Sequence, residues 1–291
     1  PFKISKSKIR GEVSEGMICA EDEIGIGNSH EGILVLPAEV PVGKLAKDYF
    51  QIEADYIFEI GLTPNRADAA SHLGVARDLA AILKTDLKTQ ASSSLKVSAN
   101  NGLAIQVQAP AACKRYTGIY LSNIKVADSP DWLKNKLQMI GLKPINNVVD
   151  ITNYVCHSLG QPMHAFDFAK VQGAQINVRN AKEGEQLVTL DGITRKLLTT
   201  DLIIADAQVP MCLAGVMGGL NACVDVNTQS IFLESAYFDA VSVRKSAKVH
   251  NLKSDSSFRF ERGTDPNMPM NALAYAVDLL KEIYNSRASK L

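Results

Sequence analysis

The sequence predicts an α+β fold, in which a large mixed α/β module follows a small β-rich region and a short strand-helix segment. Three observations support this. Apolar residues near the start come in short stretches broken by glycines, later segments alternate between strand-like runs and helical spacing, and no internal repeat is visible. A length of 291 residues suits one large module with one or two small ones.

The first part of the chain is predicted to hold small elements. Residues 2–50 indicate short strands and turns, residues 56–60 alternate like a strand, and residues 73–83 have helical spacing after the turn residues of 63–66. The polar, Ser-rich run of 85–102 is the best linker candidate. We therefore expect three parts, at residues 1–50, 51–90 and 91–291.

The elements of the large module follow from local signals. Ser129 and Pro130 before a helical pattern, and Gly160 after another, mark the helices around 131–140 and 147–159, while Asp191 and Gly192 indicate a hairpin turn. The pattern predicts strands at 105–109, 115–126, 202–205 and 230–233, a glycine-rich turn around 215–219, and helices at 240–249 and from about 267 to 283.

Composition narrows the function classes. Lys plus Arg and Asp plus Glu are 31 each, so net charge gives no support for nucleic-acid binding, and no apolar run reaches the roughly 20 residues of a membrane span. The five cysteines never form C-x-x-C, which argues against disulfides and structural zinc and favours a reducing cytoplasm. His157, His164 and His250 have carboxylates nearby without metal-ligand spacing, so we expect no metal site. The start at Pro1 suggests a piece of a longer chain.

Six segments in unbroken order resemble one family. They are KIRGEVSEGMICAEDEIGI from Lys8, EIGLTPNRADAASHLGVARDLAA from Glu59, PINNVVDITNYVCHSLGQPMHAFDF from Pro144, LVTLDG from Leu187, LAGVMGG from Leu213, and LESAYFDAVSVRKSAKVHNLKSDSSFRFERGTDP from Leu233. These strings resemble the β subunit of bacterial phenylalanyl-tRNA synthetase. Long strings such as GQPMHAF are far more specific than a short motif.

The resemblance implies a division of labour. Residues 1–50 are similar to the C-terminal part of an oligonucleotide-binding (OB) type domain, 51–90 to part of the small domain that hosts it, and 91–291 to the B3/B4 editing module, which hydrolyses tyrosyl-tRNA(Phe). The implied partners are the α subunit of a heterotetramer and the tRNA(Phe) acceptor end, with tyrosine as the editing ligand. The family's aminoacylation site lies on the α subunit. ATP and Mg²⁺ are implied for the parent complex only, and this chain is expected to use no cofactor.

The same resemblance implies which residues select tyrosine over phenylalanine. The Glu234 carboxylate and the Gly215 N–H are implied to hold the tyrosine hydroxyl, with Pro162 and Ala214 also against the substrate. Glu234 borders an apolar strand, where a carboxylate needs a partner, and the glycine lets backbone donors approach a ligand. Without the resemblance, Glu234 is explained equally well as a salt-bridged or edge residue, and Gly215 as part of a tight turn.

Hydrolysis requires a positioned water and a stabilised oxyanion, and the resemblance implies Thr152, Asn153 and His164. A lone histidine is otherwise more often structural. No Ser-His-Asp order is apparent, so an acyl-enzyme is not expected. The sequence does not identify a general base, and the terminal hydroxyl of the tRNA is another candidate for activating the water.

The segment 244–262 is the best local basic patch. We assign Arg244, Lys245, Lys248 and Arg259 to contact with the tRNA acceptor end, although a solvated helix and loop explains the charges equally well. The alternatives for the whole chain are an inactive scaffold, or a tRNA- or amino-acid-binding piece that needs the α subunit and further β-subunit domains. A free-standing deacylase relative is disfavoured by the segments before residue 85.

Overall fold

The computed structural model describes residues 4–27, 29–50, 56–88, 95 and 102–288. The chain forms two compact units, which divide between Phe58 and Glu59. The described residues of the first unit form a two-stranded antiparallel hairpin, β1 (Ser7–Ile9) and β2 (Glu12–Ser14), a 3-10 turn at Asp22–Ile24 and a short helix, α1 (Ala46–Tyr49). Short elements and turns were predicted here, and the three-part division with its OB-type assignment stays a prediction.

Residues 56–60 were predicted as a strand, and this prediction is wrong. The stretch pairs with no strand among the described residues, and the side chains of Tyr56, Ile57, Phe58 and Ile60 are exposed. Alternation of side chains predicts only a chain that can enter a sheet, and the strand itself requires hydrogen bonds to a neighbour.

The second unit is mixed α and β, which confirms the predicted fold class. Its helices are α2 (His72–Leu83), α3 (Asp131–Met139), α4 (Asn147–Leu159), α5 (Ala240–Val249), α6 (Asp255–Phe260) and α7 (Met268–Ala288). Its strands are β3 (Ala104–Val107), β4 (Cys113–Ser122), β5 (Met163–Asp167), β6 (Gln175–Asn180), β7 (Gln186–Val188), β8 (Thr194–Lys196), β9 (Leu202–Ala205), β10 (Pro210–Leu213), β11 (Met217–Gly218) and β12 (Ser230–Phe238).

Three sheets organise this unit. A five-stranded sheet has the order β11-β10-β9-β6-β3, in which only β3 and β6 are parallel. An antiparallel three-stranded sheet has the order β4-β12-β5, with β12 in the centre. The β7-β8 hairpin turns at Asp191 and Gly192, as predicted.

The three-stranded sheet separates two apolar cores, because successive side chains of a strand point to opposite faces. Phe232, Ala236 and Phe238 of β12 join the core that also contains β9 and β10. Ile231 and Leu233 join the other core, built with helices α3, α4 and α7. The apolar side chains of β12 from Ile231 to Ala236 therefore alternate between the two cores.

Local signals explain the helix that approaches the site. The Asn146 side chain accepts the N–H groups of Val148 and Val149 at 3.1 and 3.0 Å and so caps the start of α4. Gly160 ends the helix with a left-handed φ of 79°. The chain then turns directly into β5.

Candidate ligand pocket

A pocket of about 360 Å³ lies where β5, β12, the β10-β11 turn and the start of α6 meet. Side chains and backbone from separate segments line it: Asn153, Pro162, Met163, His164, Leu190, Cys212, Gly215, Val216, Met217, Gly218, Glu234, Phe238, Ser254, Asp255, Ser256 and Phe260. Five residues predicted from the resemblance are among them. The pocket size suits a small ligand or one end of a larger one.

Glu234 and His164 are neighbours across the sheet. They face each other in the antiparallel register of β12 and β5, so their side chains leave the same face. On that face the adjacent β12 positions are Phe232 and Ala236, which are fully buried. A carboxylate and an imidazole are thus placed side by side in an apolar wall.

The Glu234 carboxylate is buried without a hydrogen-bond partner among the described residues. The residue is 5% exposed. Burial raises the pKa of Glu234 to about 8. The group is therefore mostly protonated at neutral pH and can both donate and accept a hydrogen bond.

His164 is half-buried beside it, with its Nε2 atom turned away from solvent. Its ring packs edge-on against Phe166 with centroids 4.6 Å apart, and its Nε2 has no hydrogen-bond partner. Burial lowers the pKa of His164 to about 4, so the ring is neutral at pH 7. Gly218 makes room for it, because a Cβ there would lie 2.4 Å from the His164 Cε1.

Gly215 lies at the bend between β10 and β11. Its φ is +70°, and an added Cβ would press at 3.0 to 3.1 Å against Val243, Phe238 and Phe260. Its N–H donates to no acceptor in the part of the chain that the structure describes. This turn therefore presents a free backbone donor in the pocket wall.

Two serines that the sequence did not single out hold this turn. The hydroxyl of Ser254 donates to the Val216 carbonyl at 2.7 Å, and that of Ser256 donates to the Gly215 carbonyl at 3.0 Å. Ser254 also caps α6 through a capping box with Ser257. The usual sequence signature of that motif has Glu or Gln at the last position, which explains why it escaped notice.

The other predicted site residues differ in placement. Asn153 and Pro162 line the pocket, whereas Thr152 and Ala214 do not. The Thr152 hydroxyl donates to the Val149 carbonyl of its own helix at 2.7 Å. Ala214 is a buried residue of the β10-β11 turn, and its N–H donates to the Leu202 carbonyl. Both lie next to lining residues in sequence.

The predicted basic patch separates into two groups. Arg244, Lys245 and Lys248 are exposed on α5. Arg259 is 6% exposed and is bonded to Asp255, the Ala70 carbonyl and His157, so it does not belong to an exposed patch. The hydrogen bond with His157 and, to a smaller extent, that with Arg259 hold the pKa of Asp255 well below its usual range.

The described residues contain no group of three His, Cys, Asp or Glu side chains that could hold a metal ion. Within the same part of the chain, no helix has the length and apolar character needed to cross a bilayer.

Comparison with known proteins places the fold and pocket in a family. The B3/4 domain family matches residues 112–285, and the chain belongs to this family. The match includes every pocket-lining residue.

The chain is similar over 97% of its length to curated proteins named phenylalanine–tRNA ligase β subunit. It is 52% identical to that of Bacteroides fragilis, 50% identical to that of Porphyromonas gingivalis and 42% identical to that of Fusobacterium nucleatum. The chain spans about a third of the length of these relatives, 35% in each case. These matches confirm the resemblance found in the sequence.

A solved structure of an N-terminal fragment of the Pyrococcus horikoshii phenylalanyl-tRNA synthetase β subunit is also similar. It is 13% identical with a TM-score of 0.43, over 76% of this chain and 59% of that one.

Proposed function

We propose that the pocket hydrolyses the ester of tyrosyl-tRNA(Phe), and so removes tyrosine wrongly attached to that tRNA. The observation that carries this proposal is the side-by-side placement, in one pocket wall, of the buried Glu234 carboxylate and the half-buried His164 ring, whose Nε2 has no hydrogen-bond partner. Burying such groups without partners costs free energy, which a bound ligand can offset by pairing them. A ligand with a polar end beyond an aromatic ring fits this chemistry.

Selectivity for tyrosine follows from Glu234. The protonated carboxyl can exchange hydrogen bonds with a phenol, and the free Gly215 N–H supplies a second donor. Phenylalanine would leave both groups buried and unpaired. A site built to bond a hydroxyl can reject the analogue lacking it by about 10⁴ to 10⁵, whereas an apolar pocket rejects an added hydroxyl only about a hundredfold. The pocket thus selects the substrate that a phenylalanine site excludes poorly.

The hydrolytic step is assigned to His164 and Asn153. Water adds to the ester carbonyl carbon, the bond to the tRNA ribose oxygen breaks, and tyrosine and a free ribose hydroxyl are released. Because burial lowers its pKa to about 4, His164 is a weak base and is better suited to orient the water through an unpaired ring nitrogen. Asn153 lines the pocket with an amide that can donate to the developing oxyanion.

The proposal for the parent protein is broader. We propose that the chain works within a phenylalanine–tRNA ligase in the cytoplasm, together with an α subunit and tRNA(Phe). The parts that use ATP and Mg²⁺ to make the ester are proposed to lie outside this chain.

A deacylation assay on the full chain tests the function. Purified chain is mixed with tyrosyl-tRNA(Phe), and release of tyrosine is followed over time. We expect Glu234→Ala to lower selectivity for tyrosyl over phenylalanyl ester by about 10² to 10³, and His164→Ala to lower the rate about a hundredfold.

Ser235→Ala is the matched control, because Ser235 is the next residue of β12 and does not line the pocket. It should retain wild-type hydrolysis. Robust hydrolysis that survives both Glu234→Ala and His164→Ala would contradict the residue assignments. Binding of free tyrosine without turnover would favour the alternative of a binding piece that needs the remaining subunits.

A further inference from the structure

A second groove lies beside the pocket. Helix α5, helix α6 and the loop between them form it, with a volume of about 460 Å³. Ser254 lines both the groove and the pocket. The two cavities are therefore adjacent, and a ligand longer than the pocket could extend past Ser254 into the groove.

The groove is strongly cationic in a chain whose net charge is zero. Arg244, Lys248, Lys253 and Arg262 line it, with Glu261 as its one carboxylate. Glu261 pairs with Arg262 at 2.7 Å. Within the described residues, the other three cations form no ion pair. Three basic side chains are thus available to a polyanion.

The groove also presents an aromatic surface. Phe258 is 38% exposed, and the Arg262 guanidinium lies 3.8 Å from the centre of its ring. An exposed aromatic ring with a planar guanidinium offers stacking surfaces for nucleobases, while nearby lysines contact phosphates. An acidic protein surface would use the charges and leave the aromatic platform without a role.

We propose that this groove binds the single-stranded 3′ segment of the RNA whose terminal ester enters the pocket. The proposal rests on the proposed function and adds a course for the RNA. Phosphates lie against Arg244, Lys248 and Lys253, and a base stacks at Phe258. The Ser254 hydroxyl, fixed by its bond to Val216, lies where the strand passes from groove to pocket.

Lys245 separates this proposal from a general attraction to basic charge. It lies on α5 and is exposed like Arg244 and Lys248, but it does not line the groove. The variants Lys248→Glu and Lys245→Glu therefore make the same change of charge on one helix at different distances from the proposed strand.

The test uses the full chain and a fluorescein-labelled single-stranded RNA oligonucleotide that ends in CCA and carries no amino acid. Fluorescence anisotropy at several salt concentrations gives the affinity and its salt dependence. We expect Lys248→Glu to weaken binding about tenfold and to reduce the salt slope by about 0.7, the value for one phosphate contact in single strands. Phe258→Ala should weaken binding about tenfold with the slope unchanged. Lys245→Glu should change affinity less than about twofold.

Equal losses of RNA affinity in Lys248→Glu and Lys245→Glu would overturn the proposal that the groove binds RNA. Absence of RNA binding by the wild-type chain would also overturn it. Equal or tighter binding of an acidic peptide to the same groove would also overturn it. Binding of free tyrosine by equilibrium dialysis is measured in parallel and should be unchanged in all three variants. If the wild-type chain bound no tyrosine, the result would count against the proposed function of the pocket. The proposal for the pocket and the proposal for the groove can therefore fail separately.

Discussion

Two carboxylate-histidine pairs in this molecule, each with a buried carboxylate, differ in their hydrogen bonding. Asp201, before β9, bonds to His250 after α5 at 2.7 Å, and also accepts the Ser246 hydroxyl at 2.6 Å and the Leu198 N–H at 2.8 Å. The Glu234 carboxylate is also buried and the His164 ring is half-buried, yet the carboxylate has no donor among the described residues and the imidazole Nε2 has no partner.

The difference separates structural from functional polar groups. A fully bonded buried pair stabilises the fold, because each partner satisfies the other. An unbonded pair lowers stability and is retained where a ligand completes its bonds. Each pair combines a buried carboxylate with a histidine, and the hydrogen bonds that the groups make distinguish the two pairs.

The largest expected effect breaks the satisfied pair. Asp201→Ala leaves the Ser246 hydroxyl, the Leu198 N–H and His250 without their acceptor. We expect the free energy of unfolding to fall by about 3 to 5 kcal/mol. Urea denaturation followed by circular dichroism measures the change.

Glu234→Ala is the counterpart in the same experiment. At pH 5 the native carboxyl is protonated and has no bonded partner, so its loss should change stability by less than about 1 kcal/mol. A loss as large as that of Asp201→Ala would contradict the distinction between the two pairs.

The pH dependence of stability should reveal the unpaired carboxyl next. Folding raises the pKa of Glu234 from 4.5 to about 8, so the native state holds a proton that the unfolded state releases. The stabilisation is full below pH 4.5 and is lost as pH rises toward 8. We expect wild type to lose about 2 to 4 kcal/mol relative to Glu234→Gln between pH 5 and 9, in urea titrations at each pH.

His164 shifts the other way. Its pKa falls from 6.5 to about 4 on folding, so its contribution is full above pH 6.5 and is lost as pH falls toward 4. Glu234→Gln retains His164, and the difference between the two proteins therefore isolates the carboxyl. A pH-independent difference would show that Glu234 is bonded or solvated in solution.

A smaller loss than that of Asp201→Ala is expected from filling the space beside His164. Gly218→Ala places a methyl group 2.4 Å from the His164 Cε1 and forces the ring to move. We expect a stability loss of about 1 to 3 kcal/mol and reduced deacylation of tyrosyl-tRNA(Phe). Gly61→Ala is the control, because its Cβ would meet nothing within 4 Å. Equal deacylation by both variants would contradict the role given to the imidazole position.

Much of the fold was predictable where the signal is local. The ends of α4 at Asn146 and Gly160 and the hairpin at Asp191 and Gly192 depend on neighbouring residues only. Strands β5, β6 and β10 were missed, because their strand character depends on partners distant in sequence. Strand β12 was predicted to end at Leu233, and it continues to Phe238 because both neighbouring strands accompany it.

The site was predictable only in part, and through the family resemblance rather than local pattern. Glu234, Gly215, His164, Asn153 and Pro162 are brought together from four segments, which spacing alone does not indicate. Ser254 and Ser256 were missed because serines in a polar stretch look like ordinary loop residues. Arg259 looked like a surface cation, and only the structure shows its buried partners.

The central position of β12 limits how its specificity can evolve. Inserting or deleting one residue before Glu234 would exchange the two faces of the strand, placing the acid among the helices and Leu233 or Ser235 in the pocket. Substitutions at alternate positions of β12 can therefore change which ligand the pocket prefers. An insertion or deletion in the strand would instead disrupt the pocket and both cores, in natural evolution and in protein engineering alike.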